Sequence, residues 1–140
     1  MKTLYLECNM GAAGDMLMAA LTELMPDKDV FVKTEGMRER KAKMDELSDA
    51  VVALAGGFGT LEEISEMIVQ KQLGYNSKPI VLLNINHFYD NLIGFFNTII
   101  QENFAKSNAK ELYFVASTPK EAVEYLNNYQ PKEVSLASKF

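Results

Sequence analysis

Cysteine occurs once in these 140 residues, at Cys8, and histidine once, at His87. A single thiol excludes an intrachain disulfide and a cysteine-based zinc cage, and it favours a reducing compartment. No apolar run approaches the roughly 18 residues that cross a membrane. Glu7, Asn9 and Asp15 interrupt the apolar core that a signal peptide would need. The expectation is a cytoplasmic protein with no membrane partner. Positive charge is also scarce, with 14 Lys and Arg against 19 Asp and Glu and a net charge of −5. A binder of nucleic-acid backbone usually carries a basic stripe, so nucleic acid is not an expected partner. Internal repeats and low-complexity tracts are absent. What is present is an apolar fraction of 48%, enough for a proper core, in a length that fits one domain over 1–140.

Apolar runs and helical periodicities alternate along the chain. Residues 4–6 read as a short strand and Gly11 to Asp15 as a turn. An apolar helix over 16–25 ends at Pro26. Residues 30–32 read as a buried strand. Met37, Arg40, Lys41, Met44 and Leu47 recur at helical spacing. A continuous apolar run over 50–54 marks a strand covered on both faces. The next helix is expected over 60–73, stopped by Gly74, and another buried strand over 79–83. A long apolar helix follows over 88–103, then a strand over 112–115. A final helix over 119–126 opens on Pro119, and the tail from Gln130 is polar. Five β-α alternations predict an α/β fold: Rossmann-like, three-layered α/β/α, with a mainly parallel five-stranded sheet. Residues 4–6 are expected beside 30–32.

In such sheets ligands bind beyond the carboxyl ends of the strands. Gly56, Gly57 and Gly59 lie at such an end, in the stretch Ala55-Gly56-Gly57-Phe58-Gly59-Thr60-Leu61-Glu62-Glu63. Glycine serves where the backbone takes positive φ or touches a ligand, and a helix start offers free amides to an anion. Two readings of the residues that follow stand side by side. Thr60 and Glu63 have the spacing of a capping box, with Thr60 as N-cap, and Glu62 reads as a solvated first-turn acid. Alternatively Glu63 is a carboxylate set beside a phosphate site. Arg40 and Lys41, on the preceding helix in Met37-Arg38-Glu39-Arg40-Lys41, favour the second reading. A solvated helix face is the other account of Arg38, Arg40, Lys41 and Lys43.

These two motifs resemble those of the LONELY GUY-type phosphoribohydrolases, often labelled lysine-decarboxylase-like. The resemblance covers about 30–126 and extends to Leu82-Leu83-Asn84, Phe88-Tyr89-Asp90 and Thr118-Pro119-Lys120-Glu121. It implies Arg40 and Glu63 as the catalytic pair. It also implies Met37, Lys41, Gly56, Gly57, Gly59 and Thr60 around the substrate and its 5′-phosphate. The implied reaction hydrolyses the N-glycosidic bond of an adenosine-monophosphate-like nucleotide, often N6-modified, to free base and ribose 5-phosphate. No cofactor and no metal are implied, and a homodimer is. Phe95, Phe96, Ile99 and Ile100 offer apolar surface for that pairing, or belong to an ordinary core helix. Arg38 stands where the family has histidine, and Ala55 where it has proline. The family's upstream C-G-S-S and G-G-G-x-x-G-L-M-G segments are missing. Residues 1–27 instead resemble the start of LarC-type nickel insertion proteins, which implies a junction of two families near 27–30. Cys8 there reads as a packing residue and Asp15 as a helix cap. A non-catalytic nucleotide-binding domain and a nickel-cofactor accessory protein are the alternatives. His87 reads as a loop residue, and the eight methionines as core filler.

Overall fold

The computed structural model describes residues 4–7 and 35–131. The expectations for 11–15, 16–25, 30–32, Cys8 and the tail beyond 131 lie outside these residues. Within them the chain forms β1 (Leu4–Glu7), α1 (Met37–Leu47), β2 (Ala50–Ala53), α2 (Phe58–Gln72), β3 (Ile80–Leu83), α3 (Asp90–Gln101), β4 (Phe114–Ala116) and α4 (Pro119–Asn128). Short 3-10 turns over Ile85–His87 and Ser107–Leu112 precede α3 and β4.

The strands form one parallel sheet in the order β1-β2-β3-β4. Four strands are therefore seen among the described residues, against five expected. β1 pairs with β2, Leu4 opposite Ala50 and Glu7 opposite Ala53. The parallel register follows from the crossovers, because a strand returning through a helix runs the same way as the one before it.

β3 is buried along its whole length, which explains why its sequence is an unbroken Ile-Val-Leu-Leu rather than an alternation. Burying each of these side chains stabilises the fold by about 1.5–3 kcal/mol. Alternate residues serve two cores. Ala53, Ile80 and Leu82 face one cluster with Ile64 of α2 and Tyr89, against which Leu92, Ile93 and Phe96 of α3 pack. Val52, Val81, Leu83 and Ala116 face another with Ala122 of α4, against which Tyr125 and Leu126 pack. Helices thus cover both faces of the sheet.

Several boundaries differ from those read in the sequence. α3 begins at Asp90 rather than 88, because Tyr89, at φ −95° and ψ 4°, is its N-cap rather than a helical residue, and the turn before it passes through left-handed angles at Asn86 and His87 (φ 53° and 61°). β4 begins at Phe114, since the 3-10 turn extends to the buried Leu112. α4 starts as the sequence indicates. Thr118 Oγ1 accepts from the Glu121 N–H at 3.2 Å, and the Glu121 carboxylate accepts from the Ser117 N–H at 2.7 Å. At the end of α1 no basic residue meets the negative dipole end. Lys78, just before β3, supplies one: its Nζ donates to the Asp45 carbonyl, and to the Asp45 carboxylate at 2.5 Å.

Candidate active site

β2 ends at Ala53, and five residues later the chain is helical. The N-cap of α2 is Gly57, in an extended conformation with no side-chain cap. This corrects the capping-box reading. Thr60 is not the N-cap but the third helical residue, and Glu63 lies six positions after the true cap. The physical reason is a close approach. A Cβ on Gly56 would overlap the Thr60 hydroxyl and come within 2.9 Å of the Thr60 Cβ. The missing side chain lets Thr60 turn inward, where it is 3% exposed, and the N-cap falls three residues earlier, at Gly57. Positive φ plays no part here, because among the described glycines only Gly74 adopts it. The uncapped start leaves the first amides of α2 without a side-chain acceptor, which is the condition for anion binding.

α1 and α2 both flank β2, and a cleft of about 610 Å³ lies between them. Arg38, Lys41 and Asp45 of α1 and Thr60, Glu63 and Glu66 of α2 are among the residues that line it. Positions 38, 41, 42 and 45 share one helix face by their spacing of three and four. Arg40 falls outside that stripe. It is exposed and does not line the cleft. No hydrogen bond or ion pair joins it to Glu63, so the expected pair is not brought together.

Lys41 is the cation that reaches α2. Its Nζ pairs closely with Glu62 and lies 3.5 Å from Glu66. The hydrogen bond to Glu62, opposed by partial desolvation, holds the Lys41 ammonium above its ordinary pKa. Glu62 is therefore an exposed but paired acid. Glu63 is half-buried, and its Oε2 is buried with no hydrogen-bond partner. The Thr60 hydroxyl is in the same condition. Two buried oxygens without partners on one wall of a cleft are unusual, since nearly all such atoms are satisfied in folded proteins. Gly57 and Gly59 are exposed at the helix start, and Met37 opens α1.

The C-terminal end of β3 is wired to this region. Tyr89 donates its hydroxyl to the carbonyl of Leu54, in the loop that leads to the glycines. Asn84 holds Tyr89 in place: its Oδ1 accepts from the Tyr89 N–H at 2.7 Å, and its Nδ2 donates to Asp90 at 2.7 Å. His87 is an exposed loop residue with Nδ1 3.1 Å from Asp90. No local pattern in the sequence signals the Asn84–Tyr89–Leu54 link, though Asn84 and Tyr89 both fall in segments that carry the family resemblance. Among the described residues no three metal-ligating side chains cluster, and no helix is long and apolar enough to cross a membrane.

A family model described as "Possible lysine decarboxylase" matches residues 7–126. Among curated relatives, the probable cytokinin riboside 5′-monophosphate phosphoribohydrolase LOGL2 of Oryza sativa subsp. japonica is 43% identical over 103 residues, 74% of this chain and 42% of the relative. The Arabidopsis thaliana cytokinin riboside 5′-monophosphate phosphoribohydrolase LOG4 is 44% identical over 103 residues, covering 74% and 48%. LOG5 of Arabidopsis thaliana, with the same activity in its name, is 36% identical over 126 residues, covering 85% and 55%. The chain thus spans about half the length of the curated relatives it matches. The family match begins at residue 7, ahead of the junction expected near 27–30, and gives that junction no support.

Proposed function

The chain belongs to the family described as possible lysine decarboxylase, and from that premise we propose that it is a nucleoside 5′-monophosphate phosphoribohydrolase. In this reading it acts as a homodimer in the cytoplasm on an adenosine-monophosphate-like nucleotide, with N6-modified bases included. The observation that carries the proposal is the unpartnered Glu63 oxygen in the cleft, a few residues from the uncapped start of α2. The activity named for the relatives supplies the reaction class.

The amides at the start of α2 hold the 5′-phosphate, with Gly57 and Gly59 leaving the approach open. Binding the phosphate away from the reacting bond supplies positioning energy. Glu63 then lies beside the ribose. As the bond between C1′ and the base nitrogen breaks, positive charge builds on the sugar ring, and a carboxylate stabilises it. Water adds its hydroxyl to C1′, and its proton ends on the departing base. Arg38 of α1 supplies positive charge in the cleft, and Arg40, the catalytic partner that the family resemblance implies, sits outside it on the same helix. Exposed Phe95 (60%) on α3, with Phe88 (51%) just before it, gives apolar surface for the homodimer.

The test is release of free base from adenosine monophosphate and an N6-modified analogue, with Glu63→Gln as the comparison. The expected result is turnover by the wild type and a loss of at least about 100-fold in the variant, of the order expected when a catalytic carboxylate is removed, with melting little changed. Equal rates in both proteins would remove Glu63 from the chemistry. A second reading, nucleotide binding without hydrolysis, draws on the separation of Arg40 from Glu63 and on the chain's partial span of its relatives. It predicts calorimetric binding of adenosine monophosphate with no base released.

A further inference from the structure

Lys71 sits on the last turn of α2. It lies eight positions after Glu63, or about 12 Å along a helix rising 1.5 Å per residue. It is 3% exposed, and its Nζ is buried without a hydrogen-bond partner. Its charge faces the ring of Tyr129, whose centroid is 5.0 Å away. A ring face attracts a cation but does not accept three N–H bonds in the way oxygen does. Burial pushes the Lys71 ammonium down to about 8.

The Lys71 side chain borders a cavity of about 710 Å³ between α2, α4 and the turn before β4. Tyr113, Phe114, Tyr125 and Tyr129 also line this cavity. Phe114 and Tyr125 stack with centroids 4.2 Å apart and planes 6° from parallel. The remaining charged lining is Lys110 with Glu111, Glu121 and Glu124. Glu121 is engaged at the start of α4, and Glu124 lies 3.8 Å from Lys120.

We propose that this cavity is a second ligand site, taking a small aromatic monocarboxylate whose oxygens accept from Lys71 Nζ and whose ring lies against the aromatic wall. The carboxylate supplies both things the buried ammonium lacks, an acceptor and a counter-charge. One negative charge fits better than two. A phosphate dianion would face a single buried cation with three glutamates around the cavity. The flat aromatic lining selects a planar ring over an aliphatic acid. The nucleotide cleft shares no lining residue with this cavity, so the proposal stands apart from the hydrolase reading.

The experiment titrates benzoate into the full chain by calorimetry and follows melting in parallel. Benzamide, which lacks the charge, and acetate, which lacks the ring, are the comparisons. Lys71→Met keeps the aliphatic stem and removes the amine, and Lys71→Gln serves if that variant does not fold. Benzoate is expected to bind the wild type and raise its melting temperature, as a ligand selective for the native state must. Benzamide, acetate and the variant are each expected to show affinity at least about tenfold weaker. Absence of benzoate binding to the wild type up to about 10 mM, or equal binding in the Lys71 variant, overturns the proposal.

Discussion

Replacing Lys71 with methionine should make the protein more stable at neutral pH. The folded protein holds this ammonium at about 8 against an ordinary 10.5, through burial. That displacement corresponds to roughly 3 kcal/mol of bias against the charged form. The cation–π contact with Tyr129 offsets about 1 kcal/mol of it, and the methionine stem keeps the packing. The expected net gain is about 1–3 kcal/mol. Its pH dependence has a definite sign. The folded pKa lies below the unfolded one, so between about pH 8 and 10.5 the unfolded chain binds more protons. The penalty on the wild type is complete below about pH 8, and it fades as pH rises towards 10.5. The stability gap between variant and wild type should therefore be widest near pH 7 and narrow towards pH 9.5, by up to about 1.4 kcal/mol per unit above pH 8. Burial also pushes the phenols of Tyr113 and Tyr125 upward, but both proteins carry them and the difference cancels their effect. Urea unfolding at several pH values, with the slope checked for constancy, measures the gap. A variant no more stable than the wild type at pH 7 would refute the reasoning, as would a gap that stays constant up to pH 9.5.

Gly56→Ala should cost about 1–3 kcal/mol, the usual range for overpacking, because the new Cβ runs into buried Thr60. Gly57→Ala, whose Cβ meets open space, should cost only the loss of a favourable N-cap glycine, about 0.5 kcal/mol. Equal costs in urea unfolding would contradict the contact that places the start of α2. Asn84→Ala removes the acceptor for the Tyr89 N–H and should cost about 1–3 kcal/mol for a donor left unpaired. Unfolding that is unchanged would show that the link between β3 and the Leu54 loop carries no stability.

The candidate site is legible in the sequence to different depths. The glycine run and its place after a strand are local facts, and both survive in the structure. The cap is not, because Thr-x-x-Glu is a local signature that any helix start can use. What overrules it is a contact four residues apart in the chain that only the folded turn creates. Arg40 and Lys41 are adjacent, and nothing in their order says which points at α2. A helix turns about 100° per residue, so the answer depends on how α1 is rotated against β2. The structure selects Lys41, with Arg38 on the same face. Lys71 carries no signal at all, since a lysine near a helix end ordinarily lies in solvent.

By itself, the sequence determined the alternation of strands and helices, the fully buried character of β3, the start of α4 and the kinship with its family. Each is written in neighbouring residues, as a period of two or 3.6, a proline and a cap, or a short motif. Tertiary structure alone decided where α2 begins, which cation meets its acids, how Lys78 closes the end of α1, and that Lys71 is buried against a tyrosine ring. These depend on side chains distant in the chain or on the rotation of one element against another. Their energies exist only once the sheet has brought the elements together.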